Sequence, residues 1–519
     1  MSSSHEWWRF AARVVWAPTA SEMAEIDGHA IASSIPERSL IENAGRSLAV
    51  RLHARWPEGP IVVLAGAGHN GADGLVAGRT LHAWGRPVRL VRCADGAPEP
   101  DVLQGWDLTL EEPAALGEAL AGCGVVIDGI LGTGLRSAPR APQAEIIGRV
   151  NVSGASVVAV DGPSGVDFTT GAVPGAAIRA DLTITFGWPK LGLLRHPARA
   201  RCGDIEAVEI GFPSPVPKPQ ARVITAAWAA ELLGHRPVNA HKGDAGYLTL
   251  VAGQKGMAGA AVLAARAAIR GGVGIVRVVS APQNREIVQT AVPAAVFVPW
   301  DDIDAVEDAI AWADALALGP GLGSSASRRS LLEQALGAGD VCPVVVDADA
   351  LNVWGDPDAL SGCLTGPAVL TPHPGEMARL AGLSVEQIAS DPPAAARSLA
   401  ARTGASVVLK GAPTWVSGPT GEVRVSSLAS PAFATGGMGD VLTGLVGAYL
   451  ATGLSPADAA SAALMVSGLA TVVGDDPVGH SAEDVPDRLP AARASLDGTR
   501  PGTIAGVVLA LPAVEDGAA

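Results

Sequence analysis

The sequence predicts an α/β protein built from two three-layer α/β domains. Short apolar runs alternate with amphipathic segments along most of the 519 residues. The alternation stops at a proline-rich stretch near residue 213 and then restarts, and glycine-rich turns follow several of the apolar runs. Such alternation predicts parallel strands covered by helices on both faces of a sheet. The length also exceeds that of one ordinary domain.

Composition narrows the class of protein. The chain is 48% hydrophobic with a net charge of −15 and has no Lys/Arg-rich run, so we expect no nucleic-acid partner. Its five cysteines are scattered without a C-x-x-C pair, which predicts neither disulfides nor a zinc site. We find no signal-peptide pattern and no charge-free apolar run of about 18–20 residues. We therefore expect a cytoplasmic protein without a membrane partner, and we expect a homo-oligomer.

Alternating prolines mark the boundary between the domains. Prolines stand at every second position from Pro213 to Pro219, which neither a helix nor a central strand tolerates. The predicted organisation is an extension at 1–14, a first domain at 15–212, a linker at 213–222, a second domain at 223–512 and a tail at 513–519.

In the first domain, two helical patterns over residues 21–56 precede the alternation. The predicted strands are Ile61–Ala65, Val88–Arg92, Val125–Ile130, Val157–Val160 and Leu182–Phe186. The predicted helices that alternate with them are Gly74–Trp84, Ala114–Ala121 and Ala144–Val150.

The second domain repeats the alternation. Its predicted strands are Tyr247–Ala252, Ile275–Val279, Leu316–Leu318, Val344–Val346, Ala368–Leu370 and Ser406–Leu409. Its predicted helices are Ala258–Gly271, Ser327–Leu336, Val441–Leu450 and Pro456–Val473. The last two are very apolar, but Pro456 and Asp458 favour buried core helices over membrane segments.

Three glycine-rich turns follow strands of the first domain. Gly66–Gly71 matches the G-x-G-x-x-G pattern of dinucleotide-binding turns, which alone would fit a dehydrogenase. Asp128–Leu135 and Asp161–Gly165 follow two other strands. Open α/β sheets bind ligands at the carboxyl ends of their strands, where all three turns are predicted to lie.

Several polar residues of these turns have chemistry suited to a site. Asn70, Asp128 and Ser164 offer oxygen ligands for a hard monovalent or divalent cation. Asp161 is a candidate acid or base. Each residue could instead be a turn or cap residue, but their joint placement at strand ends favours a site.

The most informative stretch of the second domain is Ala434–Gly444, a glycine turn that opens a helix. Free N–H groups and the positive end of the helix dipole make such a turn an anion site. Asp440 lies at its mouth, where it could cap the helix or accept a proton from a nucleophile that attacks a phosphate.

Other polar and glycine-rich turns precede it. Asp347 and Asp349 follow one strand, with helix caps as the alternative role, and His373 lies between two prolines and could be a turn residue. Lys410 ends a strand before a glycine, which suits nucleotide phosphate or base contacts. Lys242 could be a surface charge. The motifs that contain or accompany these residues are His241–Gly246, Gly253–Ala260, Gly319–Gly323, Asp347–Asn352, Thr371–Glu376 and Lys410–Thr414.

With the segment Ile41–Gly45, the first-domain turns resemble the NAD(P)H-hydrate epimerase family over about residues 15–212, with a Rossmann-like fold. The resemblance implies a potassium ion on Asn70, Asp128 and Ser164. The family usually has Asn in place of His69 and Gly in place of Ala72, where a methyl group would restrict the loop. The implied hydrate-binding residues are His69, Asn70, Gly71, Ala72, Asp73, Gly132, Thr133, Gly134, Leu135, Arg136, Ser137, Ala138 and Asp161.

The second-domain motifs occur in the order of the ribokinase-like superfamily. They resemble most closely the ADP-dependent NAD(P)H-hydrate dehydratases, over about residues 225–512. One departure is Met438, where that family usually has Thr. The implied hydrate contacts are Ala260, Gly323, His373 and Asp440. The implied nucleotide contacts are Lys410, Gly411, Ala412, Pro413, Thr414 and Gly439.

Together the two resemblances imply metabolite repair. The first domain would interconvert the R and S hydrates of NADH and NADPH with Asp161 as acid or base. The second would dehydrate the S hydrate with ADP and magnesium, giving AMP and phosphate, with Asp440 as base. Three alternatives are a hydroxymethylpyrimidine-type kinase with an accessory nucleotide-binding domain, a non-catalytic nucleotide-binding scaffold and a dehydrogenase.

Overall fold

The computed structural model describes residues 14–94, 100–135, 137–337, 342–428, 431–472, 479–498 and 506–514. The chain divides into two compact units. Unit 1 comprises residues 1–222 and 500–519, and unit 2 comprises residues 223–499.

Unit 1 begins with two helices and continues as alternating strands and helices. Its strands are β1 (Ile61–Ala65), β2 (Val88–Arg92), β3 (Leu110–Glu111), β4 (Val125–Gly129), β5 (Ser156–Val160), β6 (Leu182–Phe186) and β7 (Asp204–Val208). Its helices are α1 (Ala20–Ala32), α2 (Glu37–Arg55), α3 (His69–Ala83), α4 (Leu116–Leu120) and α5 (Gln143–Asn151).

Unit 2 is larger. Its strands are β8 (Ala221–Ile224), β9 (Tyr247–Val251), β10 (Ile275–Ser280), β11 (Val296–Pro299), β12 (Ala315–Leu318), β13 (Val344–Val346), β14 (Ala368–Leu370), β15 (Ser406–Leu409), β16 (Trp415–Ser417) and β17 (Val423–Ser426). Its helices are α6 (Ala226–Leu233), α7 (Ala258–Gly271), α8 (Arg285–Ala291), α9 (Ile303–Ala311), α10 (Ala326–Gly337), α11 (Asp349–Trp354), α12 (Pro357–Cys363), α13 (Pro374–Ala381), α14 (Val385–Ser390), α15 (Pro392–Thr403), α16 (Met438–Ala451), α17 (Pro456–Val472) and α18 (Val485–Ser495).

The sheet of unit 1 has eight strands, and the last of them comes from the end of the chain. Its order is β18-β7-β6-β5-β4-β1-β2-β3, where β18 is Val507–Leu511. Strands β1 to β7 pair in parallel, and β18 pairs antiparallel with β7. The predicted second domain at 223–512 therefore differs from the structure, because its last segment joins the first sheet. Chain order could not show this, since strand pairing is non-local.

Helices cover both faces of this sheet. Val63 of β1 packs in one apolar cluster with residues of α2 and α3, and its neighbour Leu64 packs in a second cluster with residues of α4 and α5. Successive side chains of a strand point to opposite faces, so the two clusters lie on opposite sides of the sheet. The predicted three-layer arrangement is confirmed here.

The sheet of unit 2 has ten strands in the order β11-β10-β9-β12-β13-β14-β15-β16-β17-β8. Its central pairs are parallel, whereas β16 pairs antiparallel with both of its neighbours. Leu248 of β9 lies against Gly447 of α16, while the adjacent Thr249 donates a 2.6 Å hydrogen bond to Ala309 O of α9. Helices therefore cover both faces of this sheet as well.

Most predicted elements are present, but two helices begin earlier than expected. Helix α3 begins at His69 and α16 at Met438, so both glycine motifs form first helical turns rather than loops that precede a helix. The sequence analysis did not predict strands β3, β7, β8, β11, β16, β17 and β18. Residues 1–13 of the predicted extension and 515–519 of the predicted tail lie outside the described residues. In the part of the chain that the structure describes, no helix is both long and apolar enough to span a bilayer.

Candidate functional sites

In unit 1, Asp161 directly follows β5 and has a φ of 64°, which is strained for a residue other than glycine. Its Oδ1 accepts hydrogen bonds of 3.0 Å from both Thr185 Oγ1 and Phe186 N, and a third from Lys190 Nζ. No partner in the described residues binds Oδ2. One oxygen thus fixes the orientation of the carboxylate, and the other is available to a ligand.

Lys190, which sequence reasoning missed, holds this arrangement together. Its side chain is 1% exposed, and its ammonium group also donates to Thr185 Oγ1 and Phe186 O, each at 3.1 Å. A buried ammonium needs such a set of acceptors. The chain has only five lysines, so a lysine soon after a buried strand was a usable signal.

An inner cavity of about 130 Å³ opens beside Asp161. Its wall includes four other residues predicted from the sequence to bind the hydrate, together with two unpredicted carboxylates, Asp27 of α1 and Glu37 of α2. The predicted residues are His69, Asn70, Asp73 and Thr133. Burial raises the pKa of Asp27 to about 6, although Lys190 opposes the shift. Burial, with a smaller effect of Asp161, raises the pKa of Asp73 well above its ordinary value.

An outer groove of about 620 Å³ adjoins this cavity, because His69, Asn70 and Thr133 line both. The groove gathers most of the remaining predicted hydrate-binding residues, which are Gly71, Gly132, Gly134, Leu135, Ser137 and Ala138. Arg136, also predicted, lies outside the described residues.

Ala72 and His69 differ from the sequence-based expectation. Ala72 lies in the first turns of α3, is 1% exposed and packs in the apolar core, so its methyl group restricts no loop. The His69 side chain is 71% exposed, and its Nε2 lies 3.1 Å from Glu37 Oε1. Ala72 therefore supports the helix beneath the site, and His69 lies at its rim.

The three predicted cation ligands lie around neighbouring strand ends. Asp128 is fully buried and accepts hydrogen bonds from Ser164 N at 2.8 Å and from Ser164 Oγ at 2.6 Å. Asn70 donates to Val160 O through its Nδ2 at 2.6 Å, which leaves its Oδ1 facing the Gly132 turn. Burial raises the pKa of Asp128 to about 6, partly offset by the bonds from Ser164.

This set of donors fits a weakly charged cation. No cationic side chain of the described residues pairs with the buried Asp128 carboxylate. Neither do those residues contain any group of three His, Cys, Asp or Glu side chains that could hold a metal ion. One carboxylate with neutral amide and hydroxyl oxygens suits a monovalent ion better than a divalent one.

In unit 2, Asp440 lies in the first turn of α16, whose N-cap is Gly437 with a φ of 94° and no side-chain capping bond. No hydrogen bond joins the Asp440 side chain to any described residue, so it does not cap the helix. Burial, and after it the charge of Asp347, raises the pKa of Asp440 to about 7, while Lys410 opposes this shift. Such a carboxyl group can exchange a proton near neutral pH.

Lys410 is paired with the neighbours of Asp440. Its Nζ donates to Asp347 Oδ1 at 2.8 Å and lies 3.7 Å from Glu376 Oε2. Burial lowers the pKa of Lys410, but Asp347 and Glu376 raise it by more, so the net pKa is above its ordinary value. Asp347 Oδ2 also accepts a 2.7 Å hydrogen bond from Thr443, a polar residue of α16 that sequence reasoning missed.

The backbone of Gly439 lies beside the Lys410–Asp347 ion pair. A Cβ atom on Gly439 would lie 3.4 Å from Lys410 Nζ and 3.6 Å from Asp347 Oδ2, so the main chain passes close to both charges. Gly436 has open space where its side chain would be. The start of α16 therefore presents bare backbone and a lysine ammonium on the same side, as a phosphate site requires.

The other predicted contacts surround the same centre. His373 is the N-cap of α13, since its Nδ1 accepts a hydrogen bond from Gly375 N at 2.9 Å, and Glu376 bonds back to His373 N. Gly323 N donates to Asp349 Oδ2 at 2.8 Å. Ala260 of α7 lies beside Gly321, which belongs to the same turn as Gly323. The structure thus also gives His373 the turn role that the sequence left open.

The remaining nucleotide candidates form the loop between β15 and β16. In this loop Thr414 Oγ1 donates to Gly411 O at 2.9 Å, and Ala412 precedes Pro413 through a cis peptide bond. Lys242 is exposed, and its neighbours His241 and Asp244 bond to each other in a turn, so it lies at the surface.

Two family models match the chain, one in each unit. A model described as YjeF-related protein N-terminus matches residues 37–192, and one described as NAD(P)H-hydrate dehydratase matches residues 248–479. A bifunctional NAD(P)H-hydrate repair enzyme Nnr from Moorella thermoacetica is 36% identical over 490 residues, which cover 87% of this chain and 91% of that protein. The chain belongs to the bifunctional NAD(P)H-hydrate repair enzyme family.

Other relatives carry the same name. The bifunctional NAD(P)H-hydrate repair enzyme Nnr of Escherichia coli K12 is 37% identical over 432 residues, covering 79% of this chain and 80% of that protein. A solved ADP/ATP-dependent NAD(P)H-hydrate dehydratase from Bacillus subtilis, co-crystallised with ATP/Mg²⁺, is 29% identical with a TM-score of 0.48, covering 52% of this chain and 97% of that one. Membership of the NAD(P)H-hydrate repair enzyme family confirms the predicted family and the prediction of an enzyme.

Proposed function

We propose that the two units repair hydrated NADH and NADPH in sequence. Unit 1 interconverts the R and S hydrates, and unit 2 dehydrates the S hydrate with ADP, forming AMP and phosphate. The observation that carries the proposal is the site around Asp440, where an unpaired carboxyl group lies beside Lys410 and the bare backbone of Gly439. That arrangement suits transfer of a phosphoryl group to a hydroxyl group.

The dehydration follows from the chemistry of the hydrate. The hydrate carries a hydroxyl group on C6, the carbon next to the nitrogen N1 of the nicotinamide ring. Asp440 accepts the proton of this hydroxyl group, and the hydroxyl oxygen attacks the terminal phosphorus of ADP. A P–O bond forms and AMP leaves. The ring nitrogen lone pair then expels the new phosphate from C6, and a proton leaves C5 to restore the double bond. Phosphorylation is needed because hydroxide itself is a poor leaving group.

Several groups of unit 2 would support this transfer. Lys410 and the N–H groups at the start of α16, including that of Gly439, would bind the phosphates. Magnesium, bound with the nucleotide, would offset the charge that develops on the transferred group. The loop Lys410–Thr414 would contact the nucleotide, and Ala260, Gly323 and His373 the hydrate.

In unit 1, the inner cavity would hold the hydrated ring next to Asp161, and the outer groove would hold the rest of the dinucleotide. Lys190 positions Asp161 by saturating its Oδ1. A potassium ion bound by Asn70, Asp128 and Ser164 would neutralise the buried Asp128 carboxylate beneath the groove. We also expect the active protein to be a cytoplasmic homo-oligomer.

The decisive experiment supplies purified R and S hydrates of NADH with and without ADP. Complete recovery of the NADH absorbance from both epimers, only with ADP, supports the proposal. Recovery from the S epimer alone would show that unit 1 is inactive. A stable phosphorylated product would favour the small-molecule kinase, and recovery of neither epimer would refute the repair function.

The cation proposal has its own test. Adding potassium chloride should raise the thermal unfolding temperature of unit 1 and speed epimerisation more than sodium chloride at equal ionic strength. The variant Asp128→Asn should lose both responses. An equal effect of both salts on the unfolding temperature would contradict a potassium-selective site.

A further inference from the structure

Helix α1 presents one unexpected carboxylate to the inner cavity. Its residues in the cavity wall stand at positions i, i+3, i+4, i+7 and i+11, so they form one face of the helix. Asp27 stands in the middle of this face, which is otherwise apolar; its other members are Ala20, Met23, Ala24 and Ile31. Asp27 is only half-buried, but it adds a charge to an otherwise apolar helix face and gains no bonded partner there, so packing does not explain it.

The surroundings of Asp27 contain charges but no bonded partner. The titratable groups that face it are Lys190, Asp161, His69 and Glu37, and Asp73 interacts with it as well. No described residue forms a hydrogen bond with the Asp27 side chain. With its pKa raised to about 6 by burial, both protonation states of Asp27 are populated near neutral pH.

Asp161 has the opposite arrangement in the same cavity. All three donors to its Oδ1 bond it as a carboxylate, and it projects from the strand ends rather than from α1. The cavity therefore has an unbonded carboxyl group on its helical wall and an oriented carboxylate on its sheet wall. If the carbon inverts by losing water from one face and adding water to the other, it needs proton transfer on both faces of the ring.

We infer that Asp27 is the second acid–base residue of the epimerisation, acting on the ring face opposite Asp161. The inference rests on the epimerase activity proposed above for unit 1. It adds to that activity a catalytic residue that none of the sequence motifs contains.

The two carboxyl groups would act in turn. Neutral Asp27 gives its proton to the hydroxyl oxygen as the C6–O bond breaks, the nitrogen lone pair forms N1=C6, and water leaves. A second water adds to C6 from the other face, the N1=C6 pair returns to nitrogen, and Asp161 takes the proton of that water. Proton exchange with solvent restores the starting state, and the reverse reaction exchanges the two roles.

The test compares Asp27→Asn with the control Glu25→Gln, an exposed carboxylate on the same helix. Interconversion of a pure hydrate epimer is followed by NMR without ADP. We expect Asp27→Asn to lower the kcat of epimerisation about 10²–10⁴-fold with little change in KM, as for loss of a general acid. ADP-dependent dehydration of the S hydrate should be unchanged, as should both activities of the control.

The pH profile separates a chemical role from a structural one. Each direction needs one proton on the Asp27–Asp161 pair, and in the free site Asp27 carries it. The kcat/KM of epimerisation should therefore fall as pH rises through about 6, and Asp27→Asn should lack this pH dependence. Wild-type epimerisation that is flat across this range, or Asp27→Asn at the wild-type rate, would overturn the inference. If the wild type does not epimerise at all, the proposed function fails instead.

One measurement needs no variant and so does not depend on the folding of Asp27→Asn. Epimerisation in H₂¹⁸O should place one labelled oxygen on C6 for each inversion, because the original hydroxyl leaves as water. Inversion with retention of the original oxygen would overturn the proposed steps.

Discussion

Each unit sets a candidate acid–base carboxylate beside one of the chain's few lysines, but the pairing differs. In unit 1, Lys190 bonds to Asp161 itself. In unit 2, Lys410 bonds to the neighbouring Asp347 and leaves Asp440 unpaired, with a pKa near 7. In unit 1, Asp27 of the inner cavity lies on a different element and has no hydrogen-bond partner among the described residues. A sequence motif therefore predicts where a carboxylate lies. Whether that carboxylate is bonded or free depends on which residue the nearby lysine contacts.

The largest effect should come from removing the unpaired carboxyl group of unit 2. Asp440→Asn should lower the rate of ADP-dependent dehydration by about 10²–10⁴-fold because it removes the base. Epimerisation should be intact. Asp304→Asn is the matched control, because Asp304 is an exposed carboxylate in the first turn of another helix of unit 2. Equal losses in both variants, measured by NADH absorbance, would reduce Asp440 to a helix-dipole role.

The lysine of unit 2 should have the next largest effect. Lys410→Met leaves the buried Asp347 carboxylate without a cation, which should lower the free energy of unfolding by about 3 kcal/mol. It also removes the positive charge that lowers the pKa of Asp440, so this pKa should rise. The pH below which dehydration slows should therefore be higher than in the wild type. Urea unfolding and the pH profile of dehydration measure the two effects.

Lys255→Met, which removes an exposed ammonium group of unit 2, is the control for that substitution. If the pH profile of dehydration were the same in Lys410→Met as in the wild type, Lys410 would not influence the pKa of Asp440.

The wild-type pH profiles should separate the two sites. Asp440 must be ionised to accept a proton, so dehydration should fall about tenfold per pH unit below a pKa near 7. Epimerisation should show the opposite trend, falling as pH rises, because the Asp27–Asp161 pair must carry one proton in either direction. Assays of each reaction on the same preparation compare the limbs directly, and parallel profiles would contradict the assignment of distinct protonation states.

The smallest effect is expected at the rim of the inner cavity. His69→Asn should change the rate of epimerisation less than about threefold, since an exposed side chain contributes little to a site. The rate measured with each hydrate epimer tests this. A loss much larger than threefold would place the imidazole in contact with the reacting ring.

Local sequence predicted the strands and the glycine turns well because each depends on a short apolar run or on a few residues. It did not predict that Lys190 reaches Asp161 or that Asp27 enters the same cavity, because both contacts join elements far apart in the chain. It also predicted starts of α3 and α16 that are too late, because glycine-rich motifs are typical of loops. The sequence could not show which residue each charged side chain contacts in the folded protein.

The last strand has a consequence for the order of synthesis. Because β18 follows all of unit 2 in the chain, the ribosome completes the dehydratase segment before the epimerase sheet receives its eighth strand. Until then, the outer edge of β7 presents unpaired backbone groups, the kind of edge that attracts other strands. A single cut after residue 222 would therefore yield an incomplete unit 1, so the two activities are joined by architecture as well as by peptide bonds.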